Sequence, residues 1–245
     1  MKTAAVTGAS SGIGKAICEA LCADGFKVYG ISRSPRDSQD NFVGIAADLT
    51  DVSVFQKILS SIGEESVDIL VNDAGVIFEN GALDFTDKTF AKMFDINFKA
   101  PILLTQTLKP KLRNGLVINI SSVSDRLVGE GYALYCSSKA ALNIYFDTVR
   151  LEEGNIKFVS ILPSYVDTPL LRKLKANDKT FAWNAIVKPE DIADFITEIL
   201  DGKREISNGA RIIVISDALK GDLEYSENLW GYNVTTKELI RLKQG

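Results

Sequence analysis

The chain has 245 residues, of which 46% are hydrophobic and 24% charged, with a formal net charge of −4 and no histidine. A chain of this length removes roughly 70–75% of its unfolded surface from water, so its core needs no disulfide or metal. The absence of histidine excludes Ser–His and Cys–His catalysis, histidine-based zinc sites and histidine pH switches. The acidic balance argues against a nucleic-acid partner.

Three cysteines, Cys18, Cys22 and Cys136, cannot build a disulfide framework, and their odd number indicates a reducing environment. Cys18 and Cys22 would share one helix face, either as small buried apolar residues, which we favour, or as a redox or metal pair. We therefore expect no metal site. Because the sequence has neither a signal peptide nor a run of 18 apolar residues, we expect a cytoplasmic protein with no membrane partner.

Short apolar runs alternate with longer helical patterns along the chain. The predicted strands span residues 3–7, 27–32, 42–46, 67–71, 116–120, 157–162 and 211–215. The predicted helices span residues 13–24, 52–62, 88–112, 132–153 and 189–200. Several strand candidates are almost entirely apolar, which is typical of strands covered on both faces. The pattern predicts an α/β fold in three α/β/α layers, with a doubly wound, Rossmann-like parallel sheet of about seven strands and helices on both faces.

No linker or repeat divides the chain, so we interpret residues 1–245 as one domain. Residues 163–188 carry no strand pattern, and such a long loop in a compact domain is usually functional. They would form either an apolar lid over a substrate or a surface helix with an ordinary apolar stripe. The atypical C-terminal tail, residues 217–245, would be a variant substrate lid or a docked surface helix. Its aromatic residues are Tyr225, Trp230 and Tyr232.

A glycine-rich segment, residues 7–14, follows the first predicted strand and reads Thr-Gly-Ala-Ser-Ser-Gly-Ile-Gly. Glycine allows a tight turn and lets a phosphate approach main-chain N–H groups at the positive end of a helix. An ordinary strand–helix turn is the alternative. Its position in the first βαβ unit predicts the pyrophosphate site of a dinucleotide.

The second predicted strand ends at Ser32 and is followed by Arg33. An acidic residue at this place would accept hydrogen bonds from the adenosine ribose, whereas a guanidinium would pair with a 2′-phosphate. One charge-assisted hydrogen bond contributes roughly 1.5–3 kcal/mol, which is enough to favour NADP(H) over NAD(H). The alternative is that Arg33 is only a solvated loop residue.

Tyr135 and Lys139 lie four residues apart in a predicted helix and therefore share one face. A tyrosine with a pKa near 10 is a poor base at neutral pH, but a neighbouring cation favours the phenolate and lowers that pKa. Ser121 and Ser122 follow the fifth predicted strand, where the crevice at the carboxyl ends of the strands would lie. Each feature alone also fits an ordinary helix face or turn.

Together these features resemble the short-chain dehydrogenase/reductases, from about Lys2 to Ile215. Ser122 and Tyr135 are 13 positions apart, which is the spacing typical of that family's active site. The motifs in chain order are the glycine segment, Asp48-Leu49, Asn72-Asp73-Ala74-Gly75, Asn97, Ser122, the Tyr135–Lys139 pair and the segment 163–168. Three segments depart from the family pattern. They are Asn72-Asp73 in place of Asn-Asn, Pro163-Ser164 in place of Pro-Gly, and Asp217-Ala218-Leu219 in place of Asp-Gly-Gly.

The resemblance implies a catalytic set of Asn97, Ser122, Tyr135 and Lys139. Tyr135 would be the general acid in carbonyl reduction and the base in the reverse direction, and Lys139 would lower its pKa and bind the nicotinamide ribose. Ser122 would orient the reacting oxygen, and Asn97 would hold a water that links Lys139 to solvent. Further cofactor contacts implied by the resemblance, or by the glycine and Arg33 patterns, are Gly8, Ser10, Ser11, Gly12, Ile13, Gly14, Ser32, Arg33, Asp48, Leu49, Asn72, Ala74, Gly75, Pro163, Val166 and Thr168.

The resulting expectation is an NADP(H)-dependent oxidoreductase of the carbonyl reductase or alcohol dehydrogenase type. Its substrate would be a small carbonyl or alcohol, and relatives suggest a homodimer or homotetramer. The alternative is an NADP(H)-binding sensor or partner-binding protein of the same fold with little activity. Arg126, close to Ser122, is either a recognition group for an anionic substrate or, as we favour, a solvated side chain.

Overall fold

A computed structural model of the chain describes residues 1–216 and 229–241. Its strands are β1 (Thr3–Thr7), β2 (Lys27–Ser32), β3 (Phe42–Ala46), β4 (Ile69–Asn72), β5 (Leu116–Ile120), β6 (Lys157–Pro163), β7 (Arg211–Ile215), β8 (Leu229–Asn233) and β9 (Glu238–Arg241). They form one sheet in the order β3-β2-β1-β4-β5-β6-β7-β8-β9. All neighbouring pairs from β3 through β8 are parallel, and β9 is antiparallel to β8.

The helices are α1 (Gly12–Ala23), α2 (Val54–Ile62), α3 (Asp87–Phe94), α4 (Ala100–Leu108), α5 (Ala133–Glu152), α6 (Pro169–Leu174) and α7 (Pro189–Leu200). Apolar side chains of α1 and α7 pack on one face of the sheet, and those of α2, α4 and α5 pack on the other. β1 shows how both faces are filled, because Val6 belongs to the first core and Ala5 to the second. The predicted doubly wound α/β fold is confirmed.

One predicted helix, residues 88–112, is divided. α3 ends at Phe94, a π-helical turn spans Asp95–Lys99, and α4 then begins at Ala100. Pro101 has no backbone N–H, so it cannot donate the regular hydrogen bond to the carbonyl of Asn97 four residues earlier. The helix therefore widens at Asn97.

The C-terminal tail is neither a lid nor a helix over residues 229–241, because these residues extend the sheet as β8 and β9. Tyr232 is fully buried, and its ring stacks on Phe195 of α7 with the centroids 4.1 Å apart. Its hydroxyl donates a hydrogen bond to Glu198 Oε2 at 3.3 Å. Tyr232 is thus a core residue, and Tyr225 lies outside the described residues. Across residues 1–216 and 229–241, no helix is long and apolar enough to cross a membrane.

Candidate active site

The candidate site lies at the carboxyl ends of the central strands. Val71 of β4 pairs with Val6 of β1 and with Ile118 of β5, so the loops that follow these strands emerge at the same edge of the sheet. A cavity of about 480 Å³ opens there. The predicted site residues that line it are Ile13, Ser122, Tyr135, Pro163, Val166 and Thr168.

Tyr135 and Ser122 meet at this cavity. Their hydroxyl groups are hydrogen-bonded, and Ser122 Oγ also accepts the N–H of Ser124 at 3.1 Å, at the start of a short 3-10 turn. Removal from water raises the pKa of Tyr135 to about 12, although the hydrogen bond from Ser122 lowers it. The prediction of a lowered tyrosine pKa is therefore wrong for this structure. Desolvation of the phenolate outweighs its stabilisation.

Lys139 lies one helical turn behind Tyr135 and is only 4% exposed. Its Nζ donates a hydrogen bond to the carbonyl oxygen of Ile120 at 3.0 Å and lies 5.8 Å from the centroid of the Tyr135 ring. Burial lowers the pKa of Lys139 to about 8, and the Asp73 carboxylate opposes that shift. The ammonium group is thus still protonated at neutral pH and lies behind Tyr135.

Asn97 is buried in the π-helical turn and has a fully engaged side chain. Its Oδ1 accepts the N–H of Val76 at 2.8 Å, and its Nδ2 donates to the Val76 carbonyl at 2.8 Å and to Ser138 Oγ at 3.1 Å. The amide joins the loop after β4 to α5, and each of its polar atoms already has a protein partner. A water-holding role would fall to the Asn97 backbone.

The glycine loop has a conformation that larger residues would disturb. Gly8 has φ +72°, in the left-handed region that favours glycine. A Cβ on Gly14 would lie 2.6 Å from both the Gly8 carbonyl oxygen and Asp73 Oδ2. Thr7 Oγ1 accepts the N–H groups of Asp73 and Ala74, each at 3.0 Å, and so joins this loop to the segment after β4.

The end of β2 carries polar groups that are free of partners within the described residues. Ser32 Oγ is buried and has no hydrogen-bond partner among the described residues. Arg33 is exposed and makes no ion pair within this part of the chain. Asp48 accepts hydrogen bonds from the backbone and hydroxyl of Thr50, which lower its pKa, and Leu49 is buried.

The ends of β5 and β6 also offer unpaired hydroxyl groups. Ser121 Oγ and Ser164 Oγ are buried and unpartnered within the described chain, and both residues line the cavity. Ser32 ends β2, on the other side of β1 from β5 and β6, so unpaired hydroxyl groups occur on both sides of the strand that leads into the glycine loop. The residues therefore fit a dinucleotide. Asn72 differs from the expectation, because its side chain donates to Asn119 Oδ1 at 2.8 Å inside the sheet.

Part of the 163–188 segment covers the cavity. Thr168 Oγ1 caps α6 by accepting the N–H of Leu171 at 3.2 Å, and Leu170, Leu171 and Leu174 line the cavity. The Thr168 methyl group lies against the glycine loop, because a Cβ on Gly12 would meet it at 3.1 Å. The first part of this segment therefore forms one wall of the cavity, and its role as a lid stays a prediction.

Two other expectations concern groups near the site. Cys18 is fully buried, and desolvation raises its pKa to about 12, as befits an apolar core residue. In the described ranges, no cluster of three or more cysteine, aspartate or glutamate side chains is placed to hold a metal ion. The guanidinium of Arg126 donates two hydrogen bonds to the carboxylate of Asp125, at 2.7 and 2.6 Å. It is therefore neither a freely solvated side chain nor a group left open for an anionic substrate.

Several site residues escaped the sequence analysis. Thr7 was not assigned a role, although it directly precedes Gly8 and its hydroxyl joins two strand ends. Tyr132 lines the cavity and donates a hydrogen bond to Glu79 at 3.2 Å. No local pattern indicates that contact, because the two residues are far apart in sequence. Asp73 was noted only as a departure, and its contacts beneath the glycine loop are visible only in three dimensions.

A family model described as short chain dehydrogenase matches residues 2–179. The chain belongs to the short-chain dehydrogenase family. L-xylulose reductase from Bos taurus is 28% identical to this short-chain dehydrogenase, over 87% of this chain and 94% of the reductase. The 3-oxoacyl-acyl-carrier-protein reductase FabG from Escherichia coli K12 is 30% identical over 89% and 91% of the two chains. The solved structure of 4-hydroxyisoleucine dehydrogenase complexed with NADH superposes with a TM-score of 0.75, at 26% identity and over 87% and 96% of the chains. The short-chain dehydrogenase described here is an oxidoreductase with nicotinamide-binding relatives.

Proposed function

We propose that this short-chain dehydrogenase uses NADP(H) to reduce the carbonyl group of a small substrate, with Tyr135 as the proton donor. The observation that carries the proposal is the hydrogen-bonded pair of Ser122 and Tyr135 hydroxyls on the cavity wall, with the Lys139 ammonium behind them. Two hydroxyl groups on one side of a cavity can both reach the oxygen of a carbonyl substrate. L-xylulose reductase and FabG are reductases by name, which supports this direction of reaction.

Tyr135 holds the proton that the proposed reduction requires. At neutral pH the phenol is protonated, because its pKa is about 12. The bound cofactor supplies a hydride to the carbonyl carbon. Ser122 donates a hydrogen bond that orients the oxygen, and Tyr135 transfers its proton to that oxygen as negative charge develops. The phenolate that remains faces the Lys139 cation, which stabilises it until a proton returns from solvent.

The contacts proposed for the cofactor follow the length of the crevice. Gly8, Gly12 and Gly14 would accommodate the pyrophosphate, with Ser10, Ser11 and Ile13 in the same loop. Ser32 and Arg33 would bind the 2′-phosphate, Asp48 and Leu49 would border the adenine, and the backbone of Asn72, Ala74 and Gly75 would follow the cofactor. At the nicotinamide end, the proposed contacts are Tyr135, Lys139, Pro163, Val166 and Thr168, with Asn97 supporting a water through its backbone.

The lining of the cavity favours a substrate with apolar groups beside its carbonyl. Leu127, Val128, Leu170 and Leu174 all face the cavity, and the polar groups gather near Ser122 and Tyr135. Such a division is typical of small-molecule sites, in which a few polar groups fix orientation.

The test is NADPH oxidation with aldehydes, ketones and diketones. With an accepted substrate, we expect Tyr135→Phe to reduce turnover by about 10²–10⁴-fold, since it removes the only proton proposed for transfer. Tyr145→Phe is the matched control, because Tyr145 lies on the same helix and outside the cavity lining. Full turnover by Tyr135→Phe would refute the assigned acid. Tight NADPH binding without turnover of any carbonyl would instead favour the sensor alternative.

A further inference from the structure

Asp73 is a carboxyl group beneath the glycine loop, at a position where the family usually has asparagine. It accepts a hydrogen bond from the backbone N–H of Gly14, in the first turn of α1. Its Oδ2 also lies against both sides of the loop, since a Cβ on Gly8 would be 2.7 Å away and one on Gly14 2.6 Å away. The carboxyl group thus takes one of the free donors at the positive end of α1.

The backbone of Asp73 is held in place. Its N–H donates to Thr7 Oγ1 at 3.0 Å, as does the N–H of Ala74. Because Thr7 ends β1 and directly precedes the loop, Asp73 and the glycine loop are fixed relative to each other. The Asp73 side chain therefore starts from a fixed backbone position directly beneath the loop.

The titratable groups that face Asp73 come from two helices. Lys139 and Tyr135 belong to α5 and Cys18 to α1, and all three interact electrostatically with the Asp73 carboxylate. Desolvation raises the pKa of Asp73 to about 7, while Lys139 and the Gly14 N–H lower it. Asp73 therefore changes charge near neutral pH.

We propose that Asp73 is a positioning residue that makes cofactor binding depend on a proton. The pyrophosphate of a dinucleotide and the Asp73 carboxylate compete for the same helix N-terminus, so the cofactor binds best when Asp73 is protonated. When it binds to the ionised form, a proton passes from solvent to the Asp73 carboxylate, and no other bond changes. The inference rests on the proposed function, which places a dinucleotide at this loop.

The sign of the pH dependence follows from the position of the charges. A bound phosphate disfavours the carboxylate and raises the pKa of Asp73 further. Below the pKa of the free protein, Asp73 is already neutral and pH has little effect through this group. Above that pKa, cofactor binding requires Asp73 to take up a proton, so the affinity falls as the pH rises. The total fall is about tenfold for each unit by which the bound phosphate raises the pKa of Asp73.

The experiment measures the dissociation constant of NADPH between pH 6 and pH 8 by fluorescence titration. We expect the wild-type affinity to fall by about fivefold over this range if binding raises the pKa of Asp73 from about 7 by one unit, and that of Asp73→Asn to fall much less. Asn retains an oxygen that can accept the Gly14 N–H. The control, Asp194→Asn, removes one carboxylate from the exposed face of α7 and should follow the wild type. Because the 2′-phosphate of NADPH also titrates near pH 6, the effect of Asp73 is the difference between the wild-type and Asp73→Asn curves.

Calorimetry gives a second readout. In two buffers of different ionisation enthalpy at pH 7, wild-type protein should take up more protons per NADPH than Asp73→Asn does. Parallel affinity curves and equal proton uptake for these two proteins would overturn the inference. Absence of NADPH binding to the wild type at every pH would contradict the proposed function instead.

Discussion

Tyr135 and Lys139 show how burial changes the chemistry of a side-chain pair. Their spacing predicts a tyrosine with a lowered pKa, but in the structure the pKa of Tyr135 is raised to about 12 and that of Lys139 is lowered to about 8. Both shifts have the same cause, since burial disfavours the charged form of either group. At neutral pH the resting pair is therefore a neutral phenol beside an ammonium group, so Tyr135 holds a proton for a substrate oxygen that becomes negatively charged.

Arg33 carries the proposed preference for NADP(H). It is exposed and unpaired within the described residues, and it follows Ser32, whose hydroxyl group is buried without a partner. We expect Arg33→Ala to weaken NADPH binding by about 10–150-fold, which corresponds to one charge-assisted hydrogen bond, and to leave NADH binding nearly unchanged. Titration with both cofactors measures the difference.

One result of the Arg33→Ala titration would contradict the role proposed for Arg33. Equal losses with NADPH and NADH would show that Arg33 contributes only general positive charge. Arg36→Ala is an informative companion variant, because Arg36 is already paired with Glu19 at 2.9 Å and its guanidinium lies over the Phe42 ring. It should affect the two cofactors much less selectively.

At the scale of elements, the 3-10 turn that follows Ser122 is held by a buried charge network. The side chain of Asp125 is only 1% exposed and accepts hydrogen bonds from Arg126 and from Asn143 Nδ2 at 2.8 Å. Arg211 of β7 lies 3.5 Å from the same carboxylate and also pairs with Asp147. The network thus joins the catalytic loop to α5 and β7.

Loss of this carboxylate should loosen the loop. We expect Asp125→Ala to lower the free energy of unfolding by about 3–5 kcal/mol, because it leaves buried cations less well paired. Turnover should fall as Ser122 becomes less well positioned. Urea unfolding and steady-state kinetics measure the two effects. Asp167→Ala is the matched control, since it removes a similar fork with exposed Arg172 and should cost under about 1 kcal/mol. Similar losses in the two variants would contradict the role given to Asp125.

The regular elements could be predicted from sequence, and the irregular ones could not. All seven predicted strands are present, because a continuous run of apolar residues can be identified from neighbouring positions alone. The division of the helix at Asn97 depends on the missing N–H of Pro101 and on contacts with Val76, which come from elsewhere in the chain. The sequence does not predict strand β8, because the burial of its Tyr232 depends on a contact with Phe195, which is distant in the chain.

In the candidate site, too, local features could be predicted from the sequence and contacts between distant residues could not. Glycine spacing and the Tyr135–Lys139 interval depend on local geometry and can be read directly. The engagement of Asn97, the fork between Arg126 and Asp125, and the contacts of Asp73 require three-dimensional neighbours. The charge state of Tyr135 could not be predicted, because it depends on how much water the surrounding loops exclude.

At the scale of the whole molecule, an aromatic surface on α3 and α5 provides a candidate subunit interface. The rings of Phe90 and Phe94 stack with centroids 4.6 Å apart, and the Phe98 ring meets Tyr145 edge-on at 6.0 Å. Ile144, the neighbour of Tyr145 in the sequence, is 62% exposed. Exposed apolar side chains on these elements are typical of an interaction site, and we propose that a homodimer or homotetramer forms through them.

Ile144→Asp should shift the protein toward monomers, because it places a charge in the centre of that surface without disturbing the core. Analytical ultracentrifugation measures the change. Leu83→Asp is the control, since Leu83 is 98% exposed on the loop between β4 and α3, belongs to neither helix of that surface and should leave the assembly unchanged. An unaltered sedimentation coefficient for Ile144→Asp would place the interface elsewhere.

The contact between Thr168 and Gly12 has a consequence for the order of events in turnover. The residue that caps α6 rests on the loop proposed to hold the pyrophosphate, so the lid is anchored on the cofactor site itself. A cofactor bound at that loop would lie against this contact, whereas a small substrate in the cavity would lie against the leucines farther along the segment. The kinetic scheme is therefore expected to be sequential, with the nucleotide arriving first and departing last.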